Sequence, residues 1–91
     1  MRITNNMLQM KIDLLNTIQN RPRSPRSSVE GRSIANVGNY HLSQAYGGAC
    51  LHETANEGGG VRDIFSSGHI PKRELYNRLC AFIQGIETQN K

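Results

Sequence analysis

Two runs of alternating polar and apolar residues flank a glycine-containing turn in the middle of the chain: Asn39-Tyr40-His41-Leu42-Ser43-Gln44-Ala45, then Tyr46-Gly47-Gly48, then Ala49-Cys50-Leu51-His52-Glu53-Thr54-Ala55. Glycine tolerates the positive φ of tight turns, so the pattern predicts an antiparallel hairpin with Gly47 and Gly48 as its loop. That register places Leu42 opposite Glu53 and Ser43 opposite His52. The face expected to line the core carries Tyr40, Leu42, Ala49 and Leu51. The opposite face carries His41, Ser43, Cys50, His52 and Thr54.

A first helix precedes this hairpin. Asn5 or Asn6 can cap it, because a short amide side chain accepts hydrogen bonds from the first free N–H groups of a helix. Apolar residues then recur at helical spacing over residues 5–19, with Leu8, Ile12 and Leu15 along one face. The sequence therefore predicts helix 1 at residues 5–19.

A short strand and a second helix follow the hairpin. The glycine-rich turn at 56–60 leads into a strand over 61–65, and Pro71 fits the first turn of a helix over 71–86. An apolar stripe on that helix consists of Leu75, Leu79, Phe82, Ile83 and Ile86. We expect an α+β fold of two layers, in which a three-stranded antiparallel meander at 36–66 carries both helices on one face. The polar residues 87–91 are expected to form a tail.

Length and composition fit one small domain covering residues 1–91. Leu, Ile, Val and Phe make up only 20 of the 91 residues, so the core is small. No apolar run is long enough to span a membrane, and Lys11 and Asp13 interrupt the stretch in which a signal peptide would be apolar. Two cysteines do not make a disulfide framework. We expect a cytoplasmic protein without a membrane partner.

Positive charge is concentrated between the first helix and the hairpin. The net charge is +4, and the segment 20–34 holds four arginines and a single acid, Glu30. Pro22 and Pro25 lie in the same segment, and because proline lacks an N–H we expect irregular structure there. Two interpretations stay open: a solvated connecting loop, or a basic arm whose arginines contact phosphates. The four arginines are Arg21, Arg23, Arg26 and Arg32.

A second group of cations lies where the last helix begins. His69, Lys72 and Arg73 surround Pro71. The helix dipole disfavours cations at a helix N-terminus, whereas a bound anion would meet both the free N–H groups and these side chains. Solvated surface charge is the alternative interpretation.

The open sheet face also suggests chemistry that we do not favour. His41, Cys50 and His52 are zinc-ligand types, but a fourth ligand is missing unless His69 or Asp63 supplies it. A Cys–His nucleophile, or a triad of Ser43, His52 and Asp63, would need a cleft that a flat sheet face does not offer. We therefore expect no metal, no cofactor and no enzymatic activity.

Two resemblances add to this interpretation. The segments Asn36–Leu42, Ala45–Gly48, Asn56–Val61 and Lys72–Tyr76 resemble small uncharacterised phage and prophage proteins, which implies a non-enzymatic binding role. The element order, with Lys72 and Arg73 opening the last helix, is similar to the double-stranded-RNA-binding domain, in which that helix end contacts duplex phosphates. The chain departs from that domain because Tyr76 replaces an expected lysine and the first turn lacks Gly-Pro-x-His.

The sequence thus predicts a small binding protein for an anionic partner, most simply nucleic acid. The predicted contacts are Arg21, Arg23, Arg26, Arg32, His69, Lys72 and Arg73. The alternative is a protein-interaction or inhibitor module, or a binder of a small phosphorylated ligand. Its contacts would be Tyr46, Gly47, Gly48, His41 and His52. A homodimer is compatible with either hypothesis, since a small core gains from burying an exposed sheet edge.

Overall fold

The computed structural model describes residues 2–89, and it confirms the α+β class. The elements in chain order are α1 (Asn5–Ile18), β1 (Arg26–Val29), β2 (Arg32–Ala35), β3 (Tyr40–Ala45), β4 (Gly48–Thr54), β5 (Val61–Asp63) and α2 (Lys72–Gln89). The two helices accompany a three-stranded antiparallel sheet in the order β3-β4-β5, and a separate two-stranded hairpin, β1–β2, precedes that sheet.

Helix α1 begins at Asn5 as predicted, but its N-cap residue differs from the prediction. Thr4 is the N-cap, and its hydroxyl accepts a hydrogen bond from the N–H of Met7 at 3.2 Å. Neither Asn5 nor Asn6 fills that position, because both already belong to the helix. The buried residues of α1 include the predicted Leu8, Ile12 and Leu15.

The register of the β3–β4 hairpin corrects the predicted one. Its loop consists of Tyr46 and Gly47, with φ of 55° and 76°. Leu42 lies opposite Leu51, and Ser43 lies opposite Cys50. The slip is two residues, so each side chain keeps its predicted face.

Gly48 is a strand residue that pairs with Ala45, and other backbone lies close against it. A Cβ at Gly48 would lie 2.9 Å from the carbonyl carbon of His69. The neighbouring residue, Ala49, pairs with Ile70 through hydrogen bonds of 2.8 and 2.9 Å. Residues 64–70 therefore leave β5, form a loop and return to the edge of β4. The third strand is shorter than the predicted 61–65.

The helix α2 is longer than predicted. It continues through Gly85 to Gln89, so residues 87–89 are helical rather than a tail, whereas positions 90–91 lie outside the described residues. Pro71 precedes the helix, and its carbonyl accepts a hydrogen bond from the N–H of Leu75 at 3.1 Å.

One hydrophobic core joins the helices to the sheet. Helix α1 contacts α2 and β3, and α2 contacts β4. The predicted core face supplies Tyr40, Ala49 and Leu51, and Phe82 of α2 packs edge-to-face against Tyr40. These contacts are compatible with the prediction that both helices lie on one face of the sheet. That placement stays a prediction. No helix within residues 2–89 is long and apolar enough to cross a membrane.

The expectation of irregular structure throughout segment 20–34 is wrong, because β1 and β2 form a hairpin there. Both prolines precede β1, so neither removes a hydrogen bond from the ladder. Glu30 and Gly31 form the turn, both with positive φ. Every residue of the two strands except Ala35 is exposed. The segment is therefore a solvent-exposed β-hairpin rather than an irregular loop.

Candidate functional site

Four aromatic side chains form a row on the sheet face opposite the predicted core face. The ring centroids of Tyr46 and His69 are 6.2 Å apart, those of His69 and His52 are 6.1 Å apart, and those of His52 and His41 are 5.9 Å apart. We call these four residues the ring row. It contains all three histidines of the chain.

Strand pairing and two polar contacts fix the histidines. His41 and His52 are direct cross-strand partners, so their side chains share a face. Asn39 Oδ1 lies 3.2 Å from His41 Nδ1, and because an amide oxygen only accepts hydrogen bonds, this nitrogen is the donor. Ser43 Oγ lies 3.0 Å from His69 Nε2.

The contact between Ser43 and His69 was not foreseen from the sequence. The predicted partner of Ser43 was His52, but His69 reaches Ser43 because the backbone at Ile70 pairs with β4. The isolated apolar residue Ile70 between a glycine-containing loop and Pro71 is the only local signal for that return. The structure thereby brings His69, predicted as an anion contact, together with His41, His52 and Tyr46, which belonged to the alternative site.

The charge states of the titratable side chains differ along this sheet face. Burial lowers the pKa of His41, and the neighbouring His52 lowers it further, so His41 is neutral at pH 7. Asp63 lies opposite His52 in the sheet, and its Oδ2 accepts a hydrogen bond from the N–H of Gly68 at 2.8 Å. Burial acts to raise the pKa of Asp63, but the bond from Gly68 and further donors outweigh it and the pKa is lowered. Asp63 is therefore a fixed negative charge beside the row.

Cys50 does not have the surroundings of a nucleophile. Burial raises the pKa of the Cys50 thiol to about 11, with the adjacent Asp63 contributing, so the thiol stays protonated at neutral pH. A protonated thiol is a poor nucleophile and a poor metal ligand. The considered triad of Ser43, His52 and Asp63 is not assembled, because His69 is the histidine at Ser43 and Asp63 Oδ2 accepts the N–H of Gly68. Within residues 2–89 no group of three or more His, Cys, Asp or Glu side chains could hold a metal ion.

Tyr46 is the most exposed member of the ring row. The residue is 100% exposed, and its backbone has φ of 55°, a region that bulky residues rarely adopt. Gly47 follows it in the turn, as predicted for a residue with positive φ. The turn therefore holds a tyrosine ring in solvent at the end of the sheet.

Arg21, a predicted phosphate contact, is placed against the sheet instead. Its Nη1 lies 2.9 Å from Glu53 Oε2, and its guanidinium lies 5.2 Å from the centre of the Tyr40 ring. Arg62 binds the other oxygen of Glu53. The Glu53 side chain is only 8% exposed, so this carboxylate is buried and paired with two arginines. No sequence pattern connects these residues, because Arg21 and Glu53 are 32 positions apart.

The other three arginines of the predicted arm are exposed. Arg26 and Arg32 lie on β1 and β2, and Arg23 precedes them. Arg26 donates to Ser33 Oγ at 2.7 Å, which holds it across the hairpin. Arg26 and His41 also line one shallow cavity of about 290 Å³ between the base of the hairpin and the sheet. The hairpin and the ring row therefore meet at this cavity.

The cations at the start of α2 come shortly after His69 in the chain. Lys72 is half-buried and Arg73 is exposed, both in the first turn of the helix. Gly48, predicted as part of a partner-binding turn, serves instead to admit the His69 backbone.

Comparison of the chain with protein-family models, with curated proteins and with solved structures gives no match in any of the three. The resemblances to phage proteins and to the double-stranded-RNA-binding domain stay predictions.

Proposed function

We propose that this protein is a small non-enzymatic binding protein whose anionic partner is nucleic acid. The observation that carries the proposal is the exposed hairpin β1–β2, on and beside which Arg23, Arg26 and Arg32 lie in solvent. Arginine presents a planar fork of donors that matches phosphate oxygens, and each neutralised phosphate releases condensed counterions.

Positive charge outside the hairpin also supports nucleic acid as the partner. The net charge of +4 favours approach to a polyanion. Lys72 and Arg73 add positive charge close in sequence to His69, and the cavity shared by Arg26 and His41 links the hairpin to the sheet. Arg21 is left out of the proposed contact set, since its guanidinium binds the buried Glu53.

The proposal is tested by the salt dependence of binding. Fluorescence anisotropy with labelled oligonucleotides should show affinity falling steeply as salt rises. Replacing Arg23, Arg26 and Arg32 together by Gln should reduce the slope of log K against log salt by about 2 to 3, because up to three phosphate contacts are lost.

A matched control removes the same charge from other places. Replacing Arg2, Lys11 and Arg78 by Gln also lowers the net charge by three but leaves the hairpin intact. This control should keep most of the wild-type slope. An equal reduction of the slope of log K against log salt in the two triple variants would argue against the hairpin as the contact.

A second candidate function is supported by Tyr46. A fully exposed tyrosine on a turn with positive φ is an unusual feature, and tyrosine is enriched among the anchors of protein interfaces. We infer from it a protein-interaction or inhibitor module that acts through the β3–β4 turn and the ring row. If the purified protein binds no nucleic acid at low salt, loss of a captured protein partner on Tyr46→Ala is the corresponding test.

A further inference from the structure

We propose that the nucleic-acid partner is single-stranded and that its unpaired bases stack along the ring row. This inference rests on the proposed function and adds to it the class of nucleic acid. It uses the sheet face, whereas the proposed function rests on the arginines of the hairpin.

The exposure of Tyr46 is the first argument. Each unpaired base offers a flat face to an aromatic side chain, and such stacking is the common device of sequence-tolerant single-strand binding. Bases inside a duplex are already stacked on one another and cannot cover a protein ring. A tyrosine that is 100% exposed at the end of a row of rings therefore fits an unpaired base better than a duplex.

The spacing of the rings is the second argument. Neighbouring centroids are 5.9 to 6.2 Å apart. Successive bases on one strand of B-form DNA are separated by about 3.4 Å. Neighbouring rings also meet edge-to-face, with interplanar angles of 67° to 89°. Bases that stack on successive rings must therefore be separated and turned out of one another's planes, which only an unpaired, unstacked strand allows.

The rigidity of the row is the third argument. His69 is held by Ser43 and by the adjacent pairing of Ile70 with Ala49. His41 is held by Asn39, and His41 and His52 are fixed by the strand register. Rings that are already positioned lose little side-chain entropy when a ligand binds.

The charges around the row complement a phosphate backbone. Arg26 lines the cavity at the His41 end, and Lys72 follows three residues after His69. Asp63 is the one carboxylate on this face of the sheet strands, and the N–H of Gly68 already occupies its Oδ2. Arg26 thus supplies positive charge for a phosphate at the His41 end of the ring row.

Duplex DNA would instead be bound by the β1–β2 hairpin alone. A two-stranded ribbon is narrow enough to enter the major groove of duplex DNA. In that arrangement duplex would bind at least as well as single strand, and Tyr46 would contribute nothing.

The test compares three ligands of matched sequence with the full chain: an unpaired oligoribonucleotide, an unpaired oligodeoxyribonucleotide and the blunt DNA duplex. At least one unpaired strand should bind about tenfold more tightly than the duplex. Tyr46→Ala should weaken that binding about tenfold, as expected for the loss of one stacking ring. Tyr46→Phe keeps the ring and should retain wild-type affinity. Circular dichroism checks that each variant is folded.

The results separate this inference from the proposed function. Equal affinity for duplex and single strand, or an unchanged affinity in Tyr46→Ala, would overturn the single-strand inference and leave salt-dependent binding through the arginines intact. Absence of binding to all three ligands at low salt would overturn both.

Discussion

Glu53 is a buried carboxylate on the central strand, with an arginine on either side. Taking a carboxylate out of water is unfavourable unless charged partners and hydrogen bonds compensate for the lost solvation. Arg21 supplies one partner from the segment after α1, and Arg62 supplies the other from β5. This ion triad therefore connects the linker that follows α1 to two strands of the sheet.

Replacing Glu53 with Gln should lower the free energy of unfolding by about 2 kcal/mol, because two charge-assisted hydrogen bonds are weakened together. Urea denaturation followed by circular dichroism measures the change. Glu74→Gln is the matched control: its pair with Arg78 is an exposed pair one turn apart on α2, and its loss should cost about 0.5 kcal/mol or less. Equal losses in the two variants would contradict a structural role for the triad.

His41 makes stability depend on pH. Burial and the adjacent His52 lower its pKa in the folded protein, so the unfolded chain binds a proton more readily. Its contribution is complete above the unfolded pKa of about 6.5 and is lost as the pH falls from there through the lowered folded pKa. The free energy of unfolding should therefore fall as the pH is lowered from about 7 through the lowered pKa of folded His41.

His41→Gln should remove part of this fall, because the replacement does not titrate. Asp63 does not act in the same range: its pKa is lowered from 3.8, so its contribution is lost only at still more acidic pH. A wild-type profile that is flat across the range, or an unchanged profile in His41→Gln, would be inconsistent with this assignment.

At the residue scale, the sequence indicated which side chains share a face but not which distant ones meet. His41 and His52 were placed together because strand alternation is a local rule. The pairing of Arg21 with Glu53, and of Ser43 with His69, depends on tertiary packing between segments 32 and 26 positions apart. No local pattern carries that information.

The segment 64–70 is the element that completes the ring row. It returns to β4 only because Gly48 has no side chain, since a Cβ there would meet the His69 backbone at 2.9 Å. The return carries His69 to Ser43 and Tyr46. The absence of a side chain at Gly48 therefore permits His69, on a different segment, to contact Ser43 and Tyr46.

Gly48→Ala should push the 64–70 segment away from β4 and lower the free energy of unfolding by about 1 to 3 kcal/mol, as overpacking does. Gly85→Ala is the control: it adds the same methyl group but should have the opposite effect on stability. Nothing lies within 4 Å of a Cβ at Gly85, which is inside α2, so the substitution should stabilise the protein by about 0.5 to 1 kcal/mol. Thermal denaturation measures both. A Gly48→Ala protein as stable as wild type would refute the close approach.

At the element scale, the helices and the meander followed from periodicity, whereas β1–β2 did not. Pro22 and Pro25 argued against regular structure, yet both lie before the ladder and cost it no hydrogen bond. The loop of the main hairpin was also misplaced, because Tyr46 takes a positive φ that glycine normally supplies. The loop moved by one residue and the strand register by two, so each side chain stayed on its predicted face.

At the scale of the whole molecule, one face of the sheet builds the core and the other carries the ring row. The exposed hairpin meets that second face at the cavity between Arg26 and His41. The sequence indicated the basic segment and the two histidines of the hairpin, because both are local features. It did not indicate that they line one cavity, because that depends on how the base of the hairpin is placed relative to β3 and β4.

The most direct test of the account is an anisotropy titration of the wild-type protein with unpaired and duplex oligonucleotides at low and near-physiological salt. We predict binding that weakens steeply with salt and favours an unpaired strand. Absence of binding to either form at low salt would contradict the account and leave the arginines of the hairpin as solvated surface charge.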